Sequence, residues 1–148
     1  MIISKATAKD AETIAEHNRF LAVESEGEEI DPDTVHDGVR SVLSDETKGF
    51  YLVAKEQDQI IGQLMITYEW SDWRNETIWW VQSVYVVTPY RQKGVFSQLM
   101  EDLRQRAIKA NVSRLRLYVH HDNNTAIKVY KSMHWKSGTY QLFEKDLQ

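Results

Sequence analysis

Tyr90-Arg91-Gln92-Lys93-Gly94-Val95-Phe96 is the stretch that decides how the rest of the chain is read. It joins a segment of strand character, Trp79 to Thr88, to one of helical character, Phe96 to Ala110. The first N–H groups of a helix lack intrahelical partners, and the helix dipole adds partial positive charge there. Gly94 carries no side chain, so backbone can approach a ligand closely. Arg91 and Lys93 add two cations. A strand, a short basic glycine turn and a helix therefore suit a phosphate or pyrophosphate.

Working outward, the downstream helix shows an apolar face through Phe96, Leu99, Leu103, Ala107 and Ala110. Arg114 to His120 alternates as a strand, with Leu115, Leu117 and Val119 on one face. Asn123 or Asn124 caps a short helix carrying Ile127, Tyr130 and Met133. Thr139 to Leu147 alternates again and reads as strand. Upstream, Phe50 to Lys55, Ile60 to Trp70 and Thr77 to Thr88 are strands, separated by a Gln57-Asp58 turn and a polar loop from Ser71 to Glu76. Ile2 to Ala6 is a first strand. Thr7 and Asp10 form a capping-box start to a helix ending near Val23, and Asp31-Pro32 starts a second helix with Val35, Val39 and Leu43 on one face. The order is β-α-α-β-β-β-α-β-α-β-β, an α/β chain of the α+β type with a mixed, largely antiparallel sheet flanked by helices. The 148 residues fit one domain, 1–148, with no repeat or linker.

Composition narrows the function. Five Trp and seven Tyr argue for a packed core rather than disorder. A net charge of -4 disfavours a general nucleic-acid binder. With no cysteine there is no disulfide, thiol nucleophile or thiolate metal site. No apolar run approaches the roughly 18 residues of a membrane span, and Met1 to Lys5 lacks the layout of a secretory signal. A cytoplasmic protein is expected. His120 and His121 are the only pair that suggests a metal, and neighbouring residues on a strand point to opposite faces, so no metal is expected.

Two motifs resemble those of the GCN5-related N-acetyltransferase (GNAT) family. One is the acetyl-CoA pyrophosphate pattern Arg/Gln-x-x-Gly-x-Gly/Ala, here Arg91-Gln92-Lys93-Gly94-Val95-Phe96 after a strand ending Val84-Tyr85-Val86. The other is Asn-x-x-Ala-x-x-x-Tyr, here Asn123, Ala126 and Tyr130, followed by His134-Trp135 where the family has Gly-Phe. By element order the likeness covers nearly the whole chain. It implies that residues 91–96 cradle the CoA pyrophosphate. It also implies that the strand edge from Val84 through Tyr85 and Val86 to Val87 pairs with pantetheine, with Asn123 beside that arm and Tyr130 at the sulfur. Phe96 stands where the family has a small residue. Gln82 stands where it often has the Glu that assists amine deprotonation, and an amide cannot be a base.

The resemblance implies acetyl transfer from acetyl-CoA to an amine, which needs the amine neutral. A lysine-like amine of pKa near 10.4 costs roughly 4–5 kcal/mol to deprotonate at pH 7. Trp70, Trp73, Trp79 and Trp80 can lower that cost by desolvation, although strand alternation puts at least two of them in the core. The base is expected to be ordered water with Glu24 or Glu69 nearby, and Tyr130 the proton donor to the leaving thiolate. Glu24, Glu26, Glu28, Glu29 and Asp31 form an acidic run that reads as a solvated loop or as an attractor for a cationic acceptor. Tyr68 to Trp73 mixes rings and carboxylates, which suits a small cation and is similar to the substrate loop of polyamine and diamine acetyltransferases. A small-molecule amine is therefore the expected partner. An amino acid, a protein N-terminus or lysine, a non-catalytic CoA-binding module and a generic nucleotide-phosphate binder remain alternatives. The last lacks the Gly-Lys-Ser/Thr of a P-loop. Members of the family are often dimers, and the ring surplus leaves material for such an interface.

Overall fold

The computed structural model describes residues 1–148, which form two compact units, Met1–Tyr118 and Val119–Gln148. The first unit contains β1 (Ile2–Lys5), α1 (Ala11–Glu26), α2 (Pro32–Leu43), β2 (Phe50–Glu56), β3 (Gln59–Ser71), β4 (Glu76–Val86), α3 (Val95–Lys109) and β5 (Leu115–Leu117). Its sheet runs in the order β1-β2-β3-β4-β5, antiparallel through β4 and parallel between β4 and β5. The second unit contains α4 (Asn124–Ser132).

Strand alternation sorts the helices onto two faces. Tyr51, Val53 and Ile60 pack with Ala11, Ile14 and Ala15 of α1 and Val39 of α2. On the other face the backbone of Gly62 meets α3: a Cβ built there would lie 2.7 Å from Val95 and 3.1 Å from Leu99. The missing side chain of Gly62 therefore lets the sheet and the start of α3 approach closely.

Local chemistry explains the element ends. Asp31 accepts the backbone N–H of Thr34 at 2.9 Å, and Pro32 opens α2 as expected. α1 runs past Val23 to Glu26 and stops at Gly27, whose φ of 65° supplies the left-handed cap. Gln57 and Asp58 both take positive φ, 50° and 63°, in the two-residue β2–β3 turn.

Two expected features differ. Thr139 to Leu147 forms no strand: Tyr140, Phe143 and Leu147 are exposed there, so the last two strands of the sequence reading are absent. Alternation is a half-buried pattern and makes a strand only where a neighbour supplies hydrogen bonds. The strand expected from Arg114 to His120 is only Leu115–Leu117. No helix is long and apolar enough to cross a membrane.

Candidate active site

β4 is bent in its middle. Its pairing with β3 goes from Met65↔Gln82 to Gln63↔Tyr85, so Ser83 and Val84 together face Leu64. Ser83 absorbs the extra residue at φ 51°, as a β-bulge requires. β5 pairs only with Trp79, Trp80 and Val81, before the bulge. Beyond it, the edge from Gln82 to Val86 has no strand neighbour on the β5 side. Unpaired backbone groups on such an edge accept an added extended chain.

That half-strand leads into the glycine turn. Gly94 is the N-cap of α3 with φ 85°, and a Cβ there would meet only Gln98 Nε2, at 3.8 Å. The first intrahelical bond to Gly94 comes from Gln98, so the N–H groups that open α3, those of Val95 and Ser97 among them, have no carbonyl one turn back within the helix. Val95 is buried and Phe96 half-buried, so the Phe at the family's small-residue position is sheltered against protein. Gln92, Lys93 and Gly94 are exposed, and Gln92 has φ 61°. Arg91 is already committed. Its Nε donates to the Val86 carbonyl at 2.8 Å, its terminal nitrogen donates to Glu24 at 2.8 Å, and its guanidinium lies 5.3 Å from the Tyr85 ring. Arg91 therefore ties the turn to β4 and to the end of α1, and Lys93 is the cation of the turn that no carboxylate neutralises.

The proposed bases lie in different surroundings. Glu24 keeps one carboxylate oxygen outside its bridge to Arg91. Both oxygens of Glu69 accept from Arg116, at 3.0 and 2.8 Å, and one also accepts from Trp80 at 2.8 Å. Glu69 thus anchors β5 across β4 and has little capacity left as a base. Gln82 donates its amide to Thr67 Oγ1 at 2.6 Å. Of the four tryptophans only Trp79 is core. Trp80 is half-buried against Tyr118, with ring centroids 4.4 Å apart, and Trp70 and Trp73 are 62% and 91% exposed. Trp70 pairs with Thr77 in the β3–β4 ladder, yet its ring lies on the surface.

In the second unit, Asn123 caps α4 through Oδ1, which accepts from Ala126 N–H at 3.1 Å, so its amide NH2 is the part left for a ligand. Tyr130 packs on Trp135 at 5.7 Å, and burial pushes its phenol above the ordinary value, so it stays protonated at neutral pH. His134 takes φ 69°, the left-handed conformation for which glycine is the natural residue. His120 and His121 are not on a strand. Their rings stack at 4.6 Å beside Asp122, so the opposite-faces argument against a shared ligand position does not apply to this loop.

One buried feature was missed from the sequence. His17 Nδ1 donates to Gln63 Oε1 at 3.0 Å, and Gln63 Nε2 donates to Asn18 Oδ1 at 2.9 Å. The amide orientation puts a proton on His17 Nδ1, and the ring packs on Tyr85 of β4 at 5.1 Å. The signal was Gln63 itself, a polar side chain inside the apolar run Ile60 to Ile66. Burial holds the His17 pKa below its ordinary 6.5, only partly offset by the Gln63 bond. Between those two pKa values the unfolded chain binds more protons than the folded one, so stability falls as pH drops below about 6.5. Urea unfolding at pH 7.5 and 5.5 should show this loss, and His17→Phe should remove most of it. Equal losses in both proteins would reject the assignment.

Comparisons with known proteins bear on the fold. The profile of the Acetyltransferase (GNAT) family matches residues 10–135. A structure described as a possible acetyltransferase from Clostridium difficile 630 is 40% identical, with TM-score 0.94, over 99% of this chain and 97% of that one. A predicted acetyltransferase with acetyl-CoA from Clostridium acetobutylicum is 16% identical, with TM-score 0.81 and coverages of 97% and 95%. The ribosomal-protein-alanine N-acetyltransferase of Brucella melitensis biovar Abortus 2308 is also 16% identical, with TM-score 0.80 and 99% of each chain covered. At that identity these last two show the fold alone. No curated protein sequence matches significantly. With the family profile spanning most of its length, the chain is a member of the GNAT acetyltransferase family, which uses acetyl-CoA.

Proposed function

We propose that this protein transfers an acetyl group from acetyl-CoA to a primary amine of a small cationic molecule, such as a diamine, a polyamine or an amino acid. The carrying observation is the open edge of β4 after the Ser83 bulge, leading directly into the uncovered backbone at Gly94. Those groups fit acetyl-CoA. Val84 to Val87 offer an edge for its pantetheine amides, and the start of α3, with Val95 and Ser97, offers N–H groups for its diphosphate, with Lys93 beside them. When bound, acetyl-CoA supplies the activated acetyl group and a thiolate leaving group.

The chain's own residues would then manage the protons. Tyr130 holds a phenolic proton at neutral pH and would donate a hydrogen bond to the departing sulfur. Gln82 has no basic atom, and Glu69 is held by Arg116, so the amine proton would leave through water with Glu24 as the remaining carboxylate. A small cationic acceptor is supported by the exposed Trp70 and Trp73 rings around Asp72, which can hold an ammonium by cation–π contact and charge. We take residues 1–148 to act as one domain, supported by a family match that runs through both compact units.

Thiol release from acetyl-CoA with putrescine, spermidine, single amino acids and a short peptide tests this reading. Turnover with a diamine or amino acid, and none with the fully N-acetylated compound, is expected. Turnover with the peptide alone would move the acceptor to a protein. Binding of CoA with no turnover on any amine would make the chain a CoA-binding module, the reading that Gln82 favours.

A further inference from the structure

The Ser83 bulge changes which way β4 faces. Before it Gln82 pairs with Met65, and after it Tyr85 pairs with Gln63. Met65 and Gln63 are two apart on β3 and share a face by ordinary alternation. Gln82 and Tyr85 are three apart on β4, and they share that face only because the bulge inserts a residue between them. Met65 packs on the core formed with α1 and α2, so this is the α1 face. Without the bulge Tyr85 would turn to the α3 side, and the open edge of β4 would shift by one residue.

α1 meets this register through two adjacent residues. The His17 ring lies 5.1 Å from the Tyr85 ring, closer than that of Phe20 at 6.3 Å, and His17 is buried where Phe20 is exposed. Gln63, fully buried, accepts from His17 Nδ1 at 3.0 Å and donates to Asn18 Oδ1 at 2.9 Å. Asn18 Nδ2 in turn donates to the Tyr51 hydroxyl at 3.4 Å. His17 and Asn18 thus touch β2, β3 and β4 at Tyr51, Gln63 and Tyr85. Buried polar groups that miss their partners cost free energy, so this chain of bonds fixes α1 on β3 and with it the place of the imidazole. A β4 displaced by one residue would bring Val84 or Val86, not a ring, against that imidazole.

We propose that His17 is a positioning residue for acetyl-CoA. Its ring, held by Gln63, keeps Tyr85 on the α1 face and so keeps β4 beyond Ser83 in the register that presents the Val84 to Val87 edge to the cofactor. His17 acts through β4 and transfers no proton in this role. The inference rests on the reading of that edge as the pantetheine site.

Calorimetry with free CoA on His17→Ala and His17→Phe tests it. Both variants lose the bond to Gln63, but Phe keeps a ring against Tyr85. CoA affinity is expected to fall about tenfold in His17→Ala and to stay within about twofold of the unaltered protein in His17→Phe. Ile14→Val, a core change earlier in α1, should lower the melting temperature and leave CoA affinity unchanged. Should His17→Ala not fold, His17→Leu fills the space without a ring and is expected to weaken CoA likewise. Unaltered affinity in the Ala or Leu variant would overturn the proposal. So would equal weakening in His17→Phe, which would trace the effect to the lost hydrogen bond, or an equal loss in Ile14→Val, which would trace it to stability. Absence of CoA binding by the unaltered protein would reject the cofactor site as well, a result distinct from all of these.

Discussion

Tyr130→Phe is expected to lower kcat by about tenfold to a thousandfold, within or just below the usual range for a lost general acid. The phenol is better suited to hydrogen bonding than to full proton release. A thiol of pKa near 8.5 is a stronger acid than a phenol near 10, so complete transfer to the thiolate is uphill by about 2 kcal/mol. Burial raises the Tyr130 pKa further and widens that gap. What the hydroxyl offers is a proton always in place as negative charge develops on sulfur, in a setting where water competes less. The loss should fall on kcat, with the KM for acetyl-CoA little changed, since Phe keeps the ring that packs on Trp135. Steady-state kinetics on a variant with a native melting temperature would decide this. An unchanged kcat would remove Tyr130 from the chemistry.

Gly94→Val should weaken acetyl-CoA binding by about tenfold or more while leaving most of the fold intact. The position has φ 85°, and a left-handed backbone costs a residue with a side chain roughly 1–2 kcal/mol, most for a β-branched one. The turn must either bear that cost or relax, and relaxation turns the first N–H groups of α3 away from a shared target. The new side chain would also occupy the open space beside the backbone, where only Gln98 Nε2 comes within 4 Å of a Cβ. Gly94→Ala should show the same change at smaller size. Calorimetry with free CoA measures the effect without requiring an acceptor. Unaltered affinity in the Val variant would place the diphosphate elsewhere. Arg91→Ala is expected to act differently, because Arg91 bridges Val86 and Glu24, so its loss should loosen the join between β4 and α1 as well as lower affinity.

Much of the candidate site's local structure was legible because it is built from contiguous residues. Gly94 ahead of an amphipathic helix, and Asn123 three residues before Ala126, are local devices: the first needs an unsubstituted Cα, the second a side-chain oxygen within reach of a nearby N–H. Such features are set by spacing along the chain, and spacing is what a sequence displays. The partners of Glu69 were not legible for the opposite reason. Its partner Arg116 is 47 positions away, and only the parallel pairing of β5 with β4 brings the guanidinium across. Strand alternation put at least two of the four tryptophans in the core, whereas only Trp79 is buried and Trp70 and Trp73 are exposed. The C-terminal alternation lacked a partner strand, and pattern without hydrogen-bonding neighbours does not make a sheet.

The amino-acid order alone determined the element types up to α4, the glycine turn ahead of α3 and the capped helix bearing Tyr130, since each depends on periodicities and contacts within a few residues. Tertiary structure decided the Ser83 bulge that opens the edge of β4, the commitment of Arg91 and Glu69 to ion pairs and the buried His17–Gln63 pair. These depend on which distant residues meet when strands pair and helices pack, and that is fixed by the sheet's register rather than by neighbours in the chain.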